Sequence, residues 1–115
     1  MPDEEECEYV ILGYAADALH AASFPIAALA RFTRANGSFS LELRIKAVLP
    51  TTIPATRQQY LSELFQSWRE AANVEPAALF RELRELSVGP LRACFSGYCS
   101  MADFPRLADQ AFGAG

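Results

Sequence analysis

Three cysteines and one histidine are the residues of this 115-residue chain whose chemistry suits a metal or redox site. Cys94 and Cys99 lie in the segment CFSGYCS, and Cys7 and His20 lie near the N-terminus. Thiolates and imidazoles are common zinc ligands, so these four residues are candidates for a Cys₃His site. The Cys-x₄-Cys spacing has no second close ligand pair, and thiol redox chemistry is associated with Cys-x-x-Cys. We therefore predict no cofactor and interpret the cysteines as small buried side chains or a free thiol.

No arrangement of residues in the sequence predicts catalysis. His20 follows Asp17 by three positions, so the carboxylate could orient the imidazole on one face of a helix. A general base also needs a substrate pocket, for which the sequence gives no sign. The serines have no visible base, and no glycine-rich loop resembles a phosphate cradle. A function other than catalysis is therefore favoured.

Two patterns predict the strands that would position these groups. The apolar run EYVILGY (8–14) is typical of a central strand buried on both faces. Residues 39–49 alternate between apolar and polar with a period of two. Asn36-Gly37 suits a two-residue hairpin turn, which would place Phe32 opposite Leu41 and Arg31 opposite Glu42. A competing interpretation makes 24–35 a helix that ends at Asn36-Gly37.

Helical periodicity and stop signals complete the predicted order of elements. Helices are expected over 15–23, 56–72, 75–89 and 102–112, with a strand within 90–100. This order predicts an α+β, ferredoxin-like (split βαβ) antiparallel sheet with helices on one face and an extra C-terminal helix. Its last strand would lie antiparallel to its first, which would bring Cys7 near Cys99. The alternative is a mainly helical domain with a small β-hairpin.

Composition limits the domain count, the partners and the location. Residues 1–7 are predicted to be a flexible acidic tail and 8–115 a single α+β domain. A net charge of −4 argues against nucleic-acid binding, and no apolar stretch reaches the roughly 18 residues of a membrane span. The odd number of cysteines and the acidic start without a secretory signal predict a reduced, cytoplasmic protein.

The predicted uncovered sheet face supplies the functional hypothesis. Its middle would be apolar, and Arg31, Arg44 and Lys46 would lie along one side. We predict an accessory, inhibitor or immunity-type interaction module that binds itself, as a homodimer, or another protein through this face. One alternative is a small-molecule-binding protein or small enzyme whose sheet cavity uses His20, Arg44 or a cysteine. Another is a zinc- or thiol-dependent domain.

Overall fold

The structure, a computed structural model, describes residues 6–15, 24–33, 37, 39–46, 49, 53–88 and 91–113. Its elements are β1 (Glu6–Tyr14), β2 (Phe24–Thr33), β3 (Phe39–Ile45), α1 (Ala55–Val74), α2 (Pro76–Arg84), β4 (Ser87–Val88), β5 (Leu91–Ser100) and α3 (Phe104–Ala111). The strands form one antiparallel sheet in the order β3-β2-β1-β5-β4. The α+β class is confirmed, and the mainly helical alternative is wrong.

The ferredoxin-like arrangement is not confirmed. A split βαβ unit joins two parallel strands that leave room for a third strand between them. In this sheet β1 and β2 are direct neighbours and run antiparallel. The helix predicted over 15–23 lies outside the described residues except for Ala15. The antiparallel pairing of the last long strand with the first is present, since β5 pairs with β1 along its length.

For residues 24–33, the described part of the segment 24–35, the structure shows the strand β2 and not a helix. Every residue from Ile26 to Ala30 is fully buried, because β2 lies between two strands and has helices on both faces. The predicted register with β3 is wrong by one position: Arg31 lies opposite Leu41, and Phe32 lies opposite Ser40. Five residues, 34–38, separate the paired ends of the two strands, whereas the prediction assumed a two-residue turn. Since side chains alternate between faces, this shift exchanges every cross-strand neighbour.

Helices α1 and α2 cover one face of the sheet. Helix α1 begins after Pro54, and Pro76 occupies the first turn of α2, where its missing N–H costs no helical hydrogen bond. The two helices contribute one apolar stripe to the larger core; its buried members are Leu61, Phe65, Trp68, Leu79, Phe80 and Leu83. These side chains pack on β1 and β2 residues such as Val10 and Leu29. None of the helices within the described residues combines the length and apolar character needed to cross a membrane.

Helix α3 covers the opposite face, so the prediction of helices on one face is wrong. Phe104 and Ala108 of α3 are completely buried against Ile11, Ala28 and Ala30. The alanines of β2 are small enough for α3 to lie close to the sheet, which explains how one short helix covers this surface. The smaller core that results is separate from the core beneath α1 and α2. The apolar face on which the predicted dimer depended is therefore filled by the chain itself.

Helix α2 is shorter than its sequence pattern predicts. It ends at Arg84 rather than continuing to Gly89, and Ser87 and Val88 form the short strand β4. These two residues pair with the first two residues of β5. Pairing with an adjacent strand satisfies backbone groups that would otherwise need another turn of helix.

Candidate functional site

Cys7 and Cys99 lie directly opposite each other on β1 and β5. Their Sγ atoms are 3.4 Å apart, which is hydrogen-bond distance for two thiols, although 92 positions separate them in the sequence. Cys7 is buried with 1% of its surface exposed, whereas Cys99 is partly exposed. The predicted proximity of these two cysteines is confirmed, and it follows from the antiparallel pairing of β1 with β5.

Burial determines the protonation state of Cys7. Desolvation is the largest cause that raises the pKa of the Cys7 thiol to about 12, and its hydrogen bond with Cys99 raises it as well. At neutral pH Cys7 is therefore a thiol, which is neither nucleophilic nor a metal ligand until it loses its proton. Any reaction of this pair with an outside reagent must begin at the partly exposed Cys99.

Cys94, the third cysteine of the predicted zinc set, does not join this pair. Cys94 and Cys99 both lie in the extended strand β5, where five positions span about 16 Å. The Cys94 Sγ donates instead to the carbonyl oxygen of Arg92 at 3.6 Å. His20 lies outside the described residues. Across the described part of the chain, no three histidine, cysteine or acidic residues form a group that could hold a metal ion.

Arg31 and Arg44, two of the basic residues predicted to form an interaction patch, lie on opposite faces of the sheet. Arg31 lies on the α1/α2 face, where it binds Glu8 at 2.7 Å and stacks over the Phe80 ring at 5.5 Å. Arg44 lies opposite Ala28, whose side chain belongs to the α3 core, and it pairs with Glu42 of its own strand at 2.8 Å.

Lys46 is positioned by α3. Its Nζ donates to the backbone oxygen of Phe112, the C-cap residue of that helix. The carbonyls at a helix C-terminus attract a positive charge, so this contact favours the docked position of α3. The three basic side chains thus have different intramolecular partners and form no single patch.

Glu8 joins two arginines on the α1/α2 face, an arrangement that the sequence did not predict. Its Oε1 accepts from Arg31 at 2.7 Å, and its Oε2 accepts from Arg84 at 3.1 Å. The Glu8 side chain is 10% exposed, whereas the two arginines are more than 40% exposed. The partly buried carboxylate therefore ties the end of α2 to β1 and β2. Arg84 is 76 positions from Glu8, so no local pattern indicates the contact.

A cavity of about 290 Å³ opens beside these charges. It is lined by Glu6, Cys7, Glu8, Arg31, Phe32, Thr33, Phe39 and Tyr98. Its volume is at the lower end of the range for small-molecule sites, and its buried carboxylate is already neutralised by two arginines. The cavity can admit a small ligand, but the charges of Glu8 and Arg31 already satisfy each other without it.

The outer edge of β5 combines an uncharged sequence with exposed aromatic side chains. No charged residue occurs from Ala93 to Ser100, and the large side chains of Phe95 and Tyr98 are 66% and 67% exposed. One side of β5 pairs with β1, and among the described residues the other side pairs with β4 at Leu91 and Arg92 but with no strand along 95–100. We call the backbone edge of residues 95–100 the β5 edge. The uncharged run was visible in the sequence, but its position at the margin of the sheet was not.

The opposite margin of the sheet has a different character. Strand β3 carries Glu42 and Arg44, and Lys46 follows it. Charged side chains are a common means of preventing unwanted pairing at a sheet edge. The sheet therefore has one charged edge and one uncharged edge.

Comparison of the chain with family models, with curated proteins and with solved structures gave no match.

Proposed function

We propose that the protein is a self-associating interaction module whose β5 edge pairs with the β5 edge of a second copy. The observation that supports this proposal is the uncharged strand edge with two exposed aromatic side chains. The proposal keeps the predicted self-association but moves it from the sheet face, which α3 covers, to the sheet margin.

The chemistry of a strand edge favours another strand as its partner. Outward-pointing N–H and C=O groups form a regular row, which an antiparallel strand satisfies completely. The β5 edge lacks the charges and prolines that usually prevent such pairing. Its length of six residues is close to that of an average strand, which gives enough backbone hydrogen bonds to define a register.

A second copy is the partner that best fits this edge. A two-fold axis perpendicular to the sheet pairs the segment with itself in antiparallel orientation, and it leaves each face continuous across the dimer. Because the segment is uncharged, the two copies meet without repulsion between like charges. Phe95 lies opposite Ile11 on the α3 face, and Tyr98 lies opposite Glu8 on the α1/α2 face. Pairing would therefore cover one exposed aromatic side chain on each face.

The mass of the protein in solution tests the proposal. Light scattering after size exclusion, with reductant present to prevent intermolecular disulfides, should show a dimer at micromolar to tens of micromolar concentration. Tyr98→Lys places a charge at the edge and should shift the protein to monomer. Tyr60→Lys is the matched control, because Tyr60 is 53% exposed on α1, away from the β5 edge.

Amide hydrogen exchange locates the contact. Raising the concentration should increase protection within residues 95–100 and leave β3 unchanged. A monomer at all concentrations, or a dimer that Tyr98→Lys and Tyr60→Lys affect equally, contradicts the proposal. A stable monomer would turn attention to another protein that supplies an extended peptide to the same edge.

The cavity beside Glu8 supports a second candidate function, the binding of a small molecule. A ligand that binds the native state should raise the melting temperature, and the rise should grow with the logarithm of the ligand concentration once that exceeds the Kd. Thr33→Trp, which would fill the mouth of the cavity from an exposed position, should abolish that rise. The cytoplasmic location expected from the sequence is part of both proposals and stays a prediction.

A further inference from the structure

The proposed dimer makes no use of the facing thiols of β1 and β5, Cys7 and Cys99. We propose that Cys7 and Cys99 form a reversible intramolecular disulfide that fastens β5 to the central strand when a low-molecular-weight disulfide is present. Both sulfur atoms belong to one chain, so this inference does not depend on the proposed homodimer.

The backbone already holds the two residues at the correct separation. Directly opposite residues of antiparallel strands have Cα atoms about 4.5 to 5.5 Å apart, which lies within the range of natural disulfides. The Sγ atoms, 3.4 Å apart, must approach to about 2.05 Å, a change that side-chain rotation can supply. The strands need not separate or change register for the bond to form.

Because Cys99 is partly exposed and Cys7 is buried, Cys99 reacts with the small disulfide first and Cys7 reacts second. The Cys99 thiolate attacks one sulfur of the small disulfide RSSR, which gives a Cys99–S–SR mixed disulfide and releases RS⁻, protonated to RSH. Cys7 then loses its proton to solvent and attacks the Cys99 sulfur, which forms the Cys7–Cys99 bond and expels a second RS⁻, protonated to RSH. The two thiols are oxidised by two electrons, and RSSR is reduced to two RSH.

The same environment makes the second step slow. Burial raises the pKa of the Cys7 thiol, so the attacking thiolate is scarce at neutral pH. The mixed disulfide at Cys99 should therefore accumulate before it is resolved, and resolution should become faster as the pH rises. These two kinetic features distinguish this pair from a fast catalytic dithiol.

Cys94 is an internal control for disulfide formation, because it should stay reduced. It lies in the same strand as Cys99, but its Sγ contacts the Arg92 oxygen instead of another thiol. Its distance from Cys99 along the extended strand is far beyond the reach of a disulfide. Oxidation should consequently leave Cys94 as the single remaining thiol.

The test is equilibration of the full chain with mixtures of oxidised and reduced glutathione, followed by acid quench, alkylation and mass spectrometry. The wild type and Cys94→Ser should each lose two hydrogen atoms in mass and form a Cys7–Cys99 linked peptide. Cys7→Ser should stop at the mixed disulfide on Cys99.

The fold and the disulfide should stabilise each other. The ratio of oxidised to reduced glutathione at which half of the chains hold the bond should therefore be about a hundredfold lower for the folded chain than for the urea-unfolded chain. The oxidised protein should melt about 10 °C higher.

Two results would overturn the inference. The first is equal oxidation of the folded and the urea-unfolded chain, which would mean that the fold does not favour the bond. The second is a product that links Cys94 or joins two chains. Repeating the titration with the Tyr98→Lys variant separates this inference from the proposed dimer, since the intramolecular bond should form equally well in the monomer.

Discussion

The ring of Tyr9 lies over Gly97, its direct partner across the pairing of β1 with β5. A Cβ atom at position 97 would be 3.0 Å from the Tyr9 hydroxyl oxygen and 3.2 Å from two ring carbons. These distances are shorter than ordinary van der Waals contacts, so glycine is the residue that leaves room for the ring. An aromatic side chain placed over a strand glycine compensates for the packing that glycine lacks. The contact also lies two positions from the Cys7–Cys99 pair on each strand.

Replacing this glycine should destabilise the fold. We expect Gly97→Ala to lower the free energy of unfolding by about 1–2 kcal/mol, because Tyr9 must move away from the sheet. The measurement is urea denaturation under reducing conditions, with Ser96→Ala in the same strand as the control. In a Tyr9→Ala background the ring is absent, and Gly97→Ala should cost much less. Equal costs in the two backgrounds would show that the ring does not determine the requirement for glycine.

Helix α3 should be essential for stability although it contributes few turns. Phe104 is completely buried between α3 and the sheet, so Phe104→Ala should cost about 3–5 kcal/mol of unfolding free energy. The check is the same urea denaturation, together with near-ultraviolet circular dichroism. Phe95→Ala is the matched control: this exposed phenylalanine should change the stability of the monomer by less than about 0.5 kcal/mol. Similar losses for the two variants would mean that α3 is not docked on the sheet.

The carboxylate of Glu8 should stabilise the position of α2. Glu8→Gln removes the charge that two arginines share, and we expect a loss of about 1 kcal/mol at low salt. The loss should shrink as salt rises, because both arginines are partly exposed to solvent. Arg44→Gln tests an ion pair within one strand and should have a smaller effect. A double-mutant cycle between Glu8→Gln and Arg84→Gln should give a coupling energy; no coupling would contradict the proposed tie.

Strong local patterns predicted β1, β3 and α1 correctly, whereas the assembly of the elements depended on contacts that no short pattern encodes. The apolar run of β1, the alternation in β3 and the stripe of α1 each correspond to an observed element. The β2–β3 register was predicted wrongly because Asn36-Gly37 suits a two-residue turn, whereas five residues, 34–38, lie between the paired strand ends.

The sequence contains a pattern that predicts a helix on the face where α3 lies. Residues 26–30 are apolar at every position, which indicates a strand covered on both faces and therefore a helix on each side of the sheet. The proximity of Cys7 to Cys99 was predicted because it required one feature of the topology, the antiparallel pairing of the first and last long strands. The β5 edge could not be predicted, because whether a strand lies at a margin depends on the order of the whole sheet.

The buried thiol predicts how stability changes with pH. The pKa of Cys7 is about 12 in the folded protein and 9.0 as its ordinary value, so the unfolded chain releases this proton first as the pH rises. Between these two values the folded state binds more protons than the unfolded state, and the free energy of unfolding must fall as the pH increases. The contribution of Cys7 is therefore fully present below pH 9.0 and is lost progressively toward pH 12, at up to about 1.4 kcal/mol per pH unit.

A comparison of the wild type with a variant that lacks the Cys7 thiol isolates this effect from every other pH-dependent contribution to stability. Urea denaturation of the reduced wild type should show a steeper decline between about pH 9 and pH 11 than that of Cys7→Ala, which lacks the titrating group. Cys94→Ala should retain the steep wild-type decline. Parallel curves for the wild type and Cys7→Ala would mean that the thiol is ionised as easily in the folded chain as in the unfolded one. In that case Cys7 would supply thiolate as readily as an ordinary cysteine, and the slow second step proposed for disulfide formation would be lost.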